Sequence, residues 1–445
     1  MEKEELKRRC IEAIDKRKED IIRLGEKVYR NPELGYKEFE TTKCMEEAFA
    51  SLGLKTVSPI AYTGCKASAG GKEKPVVAVM GELDSVVCPE HEDCAVNGNM
   101  HACGHNVQLA NLYGCAAGLV ESGVIKELPG LVEFIAIPAE ECVDFDYRDK
   151  LIEEGKIEFY GGKQEYLLRG GMDNIDMILQ CHMMEVDGGR KCCTVNTDTD
   201  GFISKNVKFI GRASHAGAAP HAGINAVNMA QLALNNINAL RETFREEDMV
   251  RVSAIITSGG ELVNVVPSTV TMQVMVRAAT VEAMTEASEK VGRALKAGAL
   301  AIGGKVEIRD QIGYLPLSTD HALSALYREN MIAYGGADEN SFVEFYKTAG
   351  STDLGDMSQL VPCMHVWASG ITGGLHSKDF KIRDFEKAYI LPAKMLALTV
   401  IDLLYEDAGK AKEVIEAYKP KFTKETYINY MKEHSAVELF DGSAI

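Results

Sequence analysis

No stretch of this 445-residue chain approaches the ~18 consecutive apolar residues that a membrane-spanning helix needs. The opening, MEKEELKRRCIEAIDKRKEDIIRLGEKVYRNPELG, has the pattern of a charged amphipathic helix. No apolar h-region follows its basic residues, as one would in a secretory signal. Positive charge is in deficit: 49 Lys and Arg stand against 66 Asp and Glu, a net charge of -17, which argues against a phosphate backbone as partner. Low-complexity tracts and internal repeats are missing, so solenoids and repeat arrays drop out. The 12 cysteines do not show the closed Cys/His pairs of structural zinc sites. Without a secretory signal they read as reduced thiols, Cys192 and Cys193 included. The expected location is the cytoplasm, with neither membrane nor nucleic acid as partner.

What is present describes a globular protein of more than one core. Hydrophobic residues make up 46% and charged residues 26%, and 445 residues exceed a single typical domain, so two are expected, one inserted into the other. The first half alternates strand-like and helix-like segments, the α/β signature. KPVVAVMGELD, LVEFIAIPAEE and DMILQCHMM read as short buried strands, with CMHVWASG a fourth near the C-terminus. VQLANLYGCAAGLVES has small and apolar residues at helical spacing. From about Gly201 to Arg309 the order becomes strand, helix, strand, strand, helix, strand, the ferredoxin-like arrangement. The expected division is a first domain built from 1–198 and 313–445, interrupted by an inserted α+β domain over 199–312.

The strands of the first domain share one property. Each apolar run ends directly in candidate ligands: Glu82 and Asp84, then Glu140 and Glu141, then His182. In open α/β sheets the functional crevice lies outside the carboxyl ends of the strands, so these groups are placed as one site requires. MHACGHNVQLA adds His101, Cys103 and His105 at a helix start, and His376 offers another imidazole. Cys103, His105, Glu141 or Glu140, His182 and His376 form a mixed sulfur, nitrogen and oxygen set. Such a set suits zinc, manganese, cobalt or nickel better than magnesium or calcium. After the sharp IPA exit, Glu140 and Glu141 point in different directions, so one can bind metal while the other acts as general base on a metal-bound water. A nucleophilic Cys103 is chemically allowed but leaves Glu141, His182 and His376 without a role. His101 reads as a supporting residue, His91 and Cys94 as parts of a solvated loop, and His221 as packing in the inserted domain.

The stretches GELDSV, HACGHN, IPAEE, QCHMM, GRASHAGAAPHAGINAVN, GGELVNVVPSTV, GSTDLGDMSQLVP and GLHSKDF run in order from about residue 80 to 380. Together they resemble the dinuclear-metal amidohydrolases and peptidases related to aminoacylase, carboxypeptidase G and the indole-acetyl-amino-acid hydrolases, in particular the branch named for p-aminobenzoyl-glutamate hydrolase. The resemblance implies an α/β catalytic domain with a mixed central sheet flanked by helices, and an inserted ferredoxin-like lid and dimerisation domain. It implies that Cys103, His105, Glu141, His182 and His376 hold two divalent metal ions, manganese or zinc first and nickel or cobalt as alternatives. Glu140 would be the general base, and Asp84 would orient a ligand. His215 would stabilise the oxyanion, and Asn264 and Arg277 would receive the substrate's carboxylate. A guanidinium fork suits that last role, with a structural salt bridge as the alternative. Asn106 and Gln108 stand where many relatives have aspartate and histidine, and Asn106 fits the p-aminobenzoyl-glutamate branch. The implied function is hydrolysis of the amide bond of N-acyl amino acids, with p-aminobenzoyl-glutamate-like substrates preferred, by a homodimer formed through the inserted domain. A dipeptidase acting on β-alanyl, ornithyl or lysyl dipeptides is the alternative, as is a non-catalytic metal-binding partner subunit.

Overall fold

The computed structural model describes residues 2–72 and 74–444. Val76–Glu82, Leu131–Ile137 and Met177–Met183 are apolar almost throughout rather than alternating, which is what a sheet covered on both faces demands. They sit at the centre of an eight-stranded mixed sheet with the order Thr56–Ile60, Gly64–Gly70, Leu131–Ile137, Val76–Glu82, Met177–Met183, Cys363–Ala368, Cys193–Thr199, Phe342–Thr348. Val76–Glu82 runs parallel to both of its neighbours, and Met177–Met183 runs parallel to Cys363–Ala368. Glu82, Ile137 and Met183 therefore finish at the same edge of the sheet, the geometry that gathers strand-end chemistry. The helices His105–Glu121 and Leu391–Leu404 are buried along nearly their whole length. Their lack of a polar face follows from enclosure in the core. Among the described residues no single helix is long and apolar enough to cross a membrane.

The chain divides into two compact units. The first comprises residues 1–198, 318–347 and 356–421, and the second comprises 199–317, 348–355 and 422–445. In the second unit the strand order is Arg251–Ser258, Thr269–Ala278, Gly201–Ile210, Lys305–Ile312, Val437–Asp441, every pair antiparallel. Its first four strands have the ferredoxin-like order. The helices Ala226–Leu240 and Val281–Ile302 pack on them, capped at their N-termini by the side chains of Asn225 and Thr280. The fifth strand departs from the expected division. Residues 422–445 join the second unit because Val437–Asp441 pairs along the edge of Lys305–Ile312. Its five residues are largely exposed and carry no apolar run, so periodicity had nothing to register.

Candidate metal centre

Three strand ends, one helix start and the loop that carries His376 build the centre. At the first exit, Asp84 is fully buried and divides its carboxylate between two neighbours. Its Oδ1 lies 3.2 Å from His105 Nδ1, while Oδ2 accepts the Glu141 backbone N–H at 2.8 Å. The Asp84 carbonyl lies 2.8 Å from the same His105 nitrogen. His105 Nδ1 is thus fixed by Asp84, which leaves Nε2 facing the centre. Burial alone would raise the Asp84 carboxyl, but His105 and the Glu141 N–H outweigh it and hold it below its ordinary value.

The second exit turns sharply. Ala139 takes a left-handed backbone (φ 56°), which costs a non-glycine residue about 1 kcal/mol, and the turn is braced from several sides. Ala139 N–H donates to Glu38 Oε1 at 2.8 Å, and the Gly162 N–H donates to the Ala139 carbonyl at 3.1 Å. The fully buried Arg148 donates to the Glu141 carbonyl. The two carboxylates then diverge: Glu141 offers an oxygen to Cys103 and His376, and Glu140 offers one to Glu82 and His105. The helix beginning at His105 follows Gly104, whose φ of 83° needs glycine.

Cys103, His105 and His182 form one group of ligand atoms lying within 4.8 Å of one another, and Cys103, Glu141 and His376 form a second. Cys103 Sγ is 3.6 Å from His182 Nε2, and His376 Nε2 is 2.9 Å from Glu141 Oε1. All five residues named as ligands are therefore brought together, with Cys103 common to both groups. The residues present fit a cation. His105 Nε2 is buried and makes no well-aligned hydrogen bond among the described residues, although a Glu82 oxygen lies 3.1 Å away. Burial, reinforced by Glu141, raises the Cys103 thiol well above its ordinary value. Burial lowers His182 to about 4. Burial also works against charge on His105, but Cys103 and Glu82 outweigh it and raise that imidazole. A hydrogen bond to Glu141 raises His376. A divalent transition metal binding here would displace protons from Cys103, His105 and His376 and take a thiolate, a carboxylate and imidazoles as its donors.

The other candidates divide. His101 is fully buried with both ring nitrogens unpaired among the described residues, and burial lowers it to about 3, so it stays neutral beside His105. His91 corrects the expectation of a solvated loop. It is buried, its Nδ1 accepts the Asp93 N–H at 3.1 Å, and its Nε2 donates to the Phe380 carbonyl at 2.7 Å, tying residues 88–94 to the chain just after His376. His221 is exposed in a short turn, Pro220–Ala222, rather than packed in a core. Asn106 donates to Tyr389 Oη at 3.1 Å, and Gln108 donates to Glu82 Oε2 at 2.6 Å, so both departures have structural partners.

Within the second unit, His215 bridges to Val265, and the Ala216 N–H donates to the Asn264 carbonyl at 2.9 Å, which makes His215 and Asn264 neighbours. His215 Nδ1 accepts from the Gly217 and Ala218 N–H groups, so its proton sits on Nε2. Arg277 donates to the Ala349 carbonyl and Ser351 Oγ, both at 2.8 Å, and lies over the Phe202 ring. Sequence reasoning missed Glu38, Arg148 and Lys163, which support the strand exits from a distance in sequence and carry no local motif.

The family model described as peptidase family M20/M25/M40 matches residues 78–402, most of the chain and every strand exit of the centre. The chain belongs to peptidase family M20/M25/M40. It is 28% identical to a Xaa-Arg dipeptidase of Mus musculus over 96% of this chain and 95% of that protein. It is 26% identical to one of the polypeptides of the p-aminobenzoyl-glutamate hydrolase of Escherichia coli, over 92% of this chain and 94% of that one. A dinuclear metal-binding M20 peptidase of Bacillus subtilis superposes with a TM-score of 0.67 at 21% identity, covering 87% of this chain and 98% of that one. As an M20 member the protein is a hydrolytic enzyme, and its candidate ligand groups are those described above.

Proposed function

We propose that the protein hydrolyses the amide bond joining an acyl group to an amino acid, with substrates of the p-aminobenzoyl-glutamate type preferred. The observation that carries this reading is the convergence of Cys103, His105, Glu141, His182 and His376, with Glu140 beside them on its own branch of the Ala139 turn. These five residues hold two divalent cations, manganese or zinc, which supply Lewis acidity at the scissile carbonyl and a water of near-neutral pKa. Glu140 takes the proton of the attacking water and delivers it to the amine nitrogen as the C–N bond breaks. Asp84 keeps His105 in one tautomer and holds the Glu141 backbone at the same time. His215, its proton on Nε2, is assigned to the developing oxyanion. Asn264 and Arg277 are assigned to the substrate's carboxylate. We place the enzyme in the cytoplasm and assign the second unit to homodimer formation.

A second reading rests on the likeness to the Xaa-Arg dipeptidase over nearly the whole chain: a dipeptidase acting on substrates with a basic residue. One panel separates the two. The manganese-loaded enzyme is given p-aminobenzoyl-glutamate, simple N-acyl amino acids and β-alanyl, ornithyl and lysyl dipeptides. The proposal expects the highest kcat/KM on p-aminobenzoyl-glutamate. Highest kcat/KM on the basic dipeptides replaces it with the second reading, and no turnover of any amide overturns both.

A further inference from the structure

Directly behind the centre lies a buried charged group that the mechanism does not use. Glu82, the last residue of the Val76–Glu82 strand, is 1% exposed, and Lys163 is fully enclosed. Lys163 Nζ donates to Glu82 Oε1 at 2.6 Å, and Gln180 Nε2 donates to the same oxygen at 2.7 Å. Gln108 Nε2 donates to Oε2 at 2.6 Å. His105 Nε2, the nitrogen facing the centre, is 3.1 Å from that second oxygen. Glu82 also offers an oxygen to a group with His105 and Glu140. An anion in this position has two courses open to it: to enter the metal's coordination shell, or to be kept out of it.

We propose that Lys163 is a positioning residue that keeps Glu82 out of the metal shell, so that the carboxylate acts as a fixed counter-charge behind His105. The three donors take up the in-plane lone pairs of Oε1 and one of those on Oε2. Lys163 cancels a charge that would otherwise compete with Glu141 for the cation. Removing one partner of a fully buried pair leaves the other uncompensated, so the two single removals have opposite consequences for a nearby cation. Without Glu82, the Lys163 ammonium repels the metal. Without Lys163, the free carboxylate is drawn to it. A merely structural ion pair has no such sign reversal, because either loss then acts only through folding. The inference rests on the reading of Cys103, His105, Glu141, His182 and His376 as metal ligands.

The chain supplies its own probe. Its single tryptophan, Trp367, stacks on the His182 ring at 4.5 Å between centroids and donates Nε1–H to His365 Nδ1 at 3.2 Å. Cobalt, manganese and zinc are titrated into metal-stripped protein and followed by Trp367 emission, with metal content by mass spectrometry and the cobalt absorption spectrum as parallel readouts. The proteins are the wild type, Glu82→Gln, Lys163→Met and the double variant. The proposal expects Glu82→Gln to raise Kd about tenfold or more for all three metals. It expects Lys163→Met to shift preference from zinc toward manganese, the metal better suited to an added carboxylate, with a weaker cobalt absorption band. The double variant is expected to return close to wild-type Kd. If Lys163→Met does not fold, the comparison of Glu82→Gln with the double variant still decides. Recovery in the double supports the proposal, and equal weakening contradicts it. Failure of the wild type to bind metal removes the ligand reading itself. Normal wild-type binding with unchanged variants overturns this inference alone.

Discussion

Glu140 and Glu141 are adjacent and chemically identical, and the left-handed Ala139 turn sends them to different neighbours. The division of labour proposed for them makes a sharp prediction. Glu140→Gln should lower kcat by roughly 100-fold to 10,000-fold while metal stoichiometry, read by mass spectrometry, stays unchanged. Cys103→Ala should instead lose metal, since Cys103 belongs to both ligand groups. Glu38, which braces the same turn, carries a pH signature. Burial, together with Asp84, raises its carboxyl from the ordinary 4.5 to about 8. The folded state thus binds the proton more tightly than the unfolded chain. The stability Glu38 contributes is complete below the unfolded value and is lost as pH rises through about 8. Thermal melts of the wild type should therefore lose ground to Glu38→Gln between about pH 5 and pH 8. A Tm difference independent of pH would contradict this. The candidate ligands Cys103, His105, Glu141 and His182 were legible in the sequence because each closes an apolar run or sits in HACGH, whereas His376 stood out only through the resemblance of GLHSKDF. Glu38, Arg148 and Lys163 were not, because a buried charge is recognised only by the partner that folding brings to it.

The short helix Gly162–Leu168 lies against the Ile137–Glu141 corner, and glycine is what allows that approach. A Cβ at Gly162 would meet the Pro138 carbonyl oxygen at 1.6 Å, a clash with backbone that no rotamer relieves. Gly162→Ala should cost roughly 3 kcal/mol of stability and shift metal preference from zinc toward manganese, because the same helix start delivers Lys163 to Glu82. Chemical denaturation and a metal titration check the two effects. The long helices and central strands were readable from periodicity and apolar runs. This seven-residue helix was not, since it is too short to show a period and is buried on most sides. His91 escaped for a related reason: a polar-looking stretch, CPEHEDC, conceals one imidazole turned inward to the Phe380 carbonyl.

At the scale of the whole molecule, both candidate ligand groups belong to the first unit, and the second unit has its own core. Metal removal should therefore lower the thermal transition of the first unit while leaving that of the second in place, since a ligand stabilises only the state that binds it. Scanning calorimetry with and without chelator reads this directly. The ferredoxin-like order was visible in the sequence, but the return of the C-terminus to that sheet was not, because an exposed edge strand has no hydrophobic signal. The central claim is that this constellation is a metal-dependent amide-hydrolysing centre. Its most direct test is amide hydrolysis by metal-stripped protein titrated with manganese and then zinc. The account predicts no activity without metal and full recovery as two ions bind per chain. Hydrolysis that persists in the stripped protein and ignores added metal would contradict it.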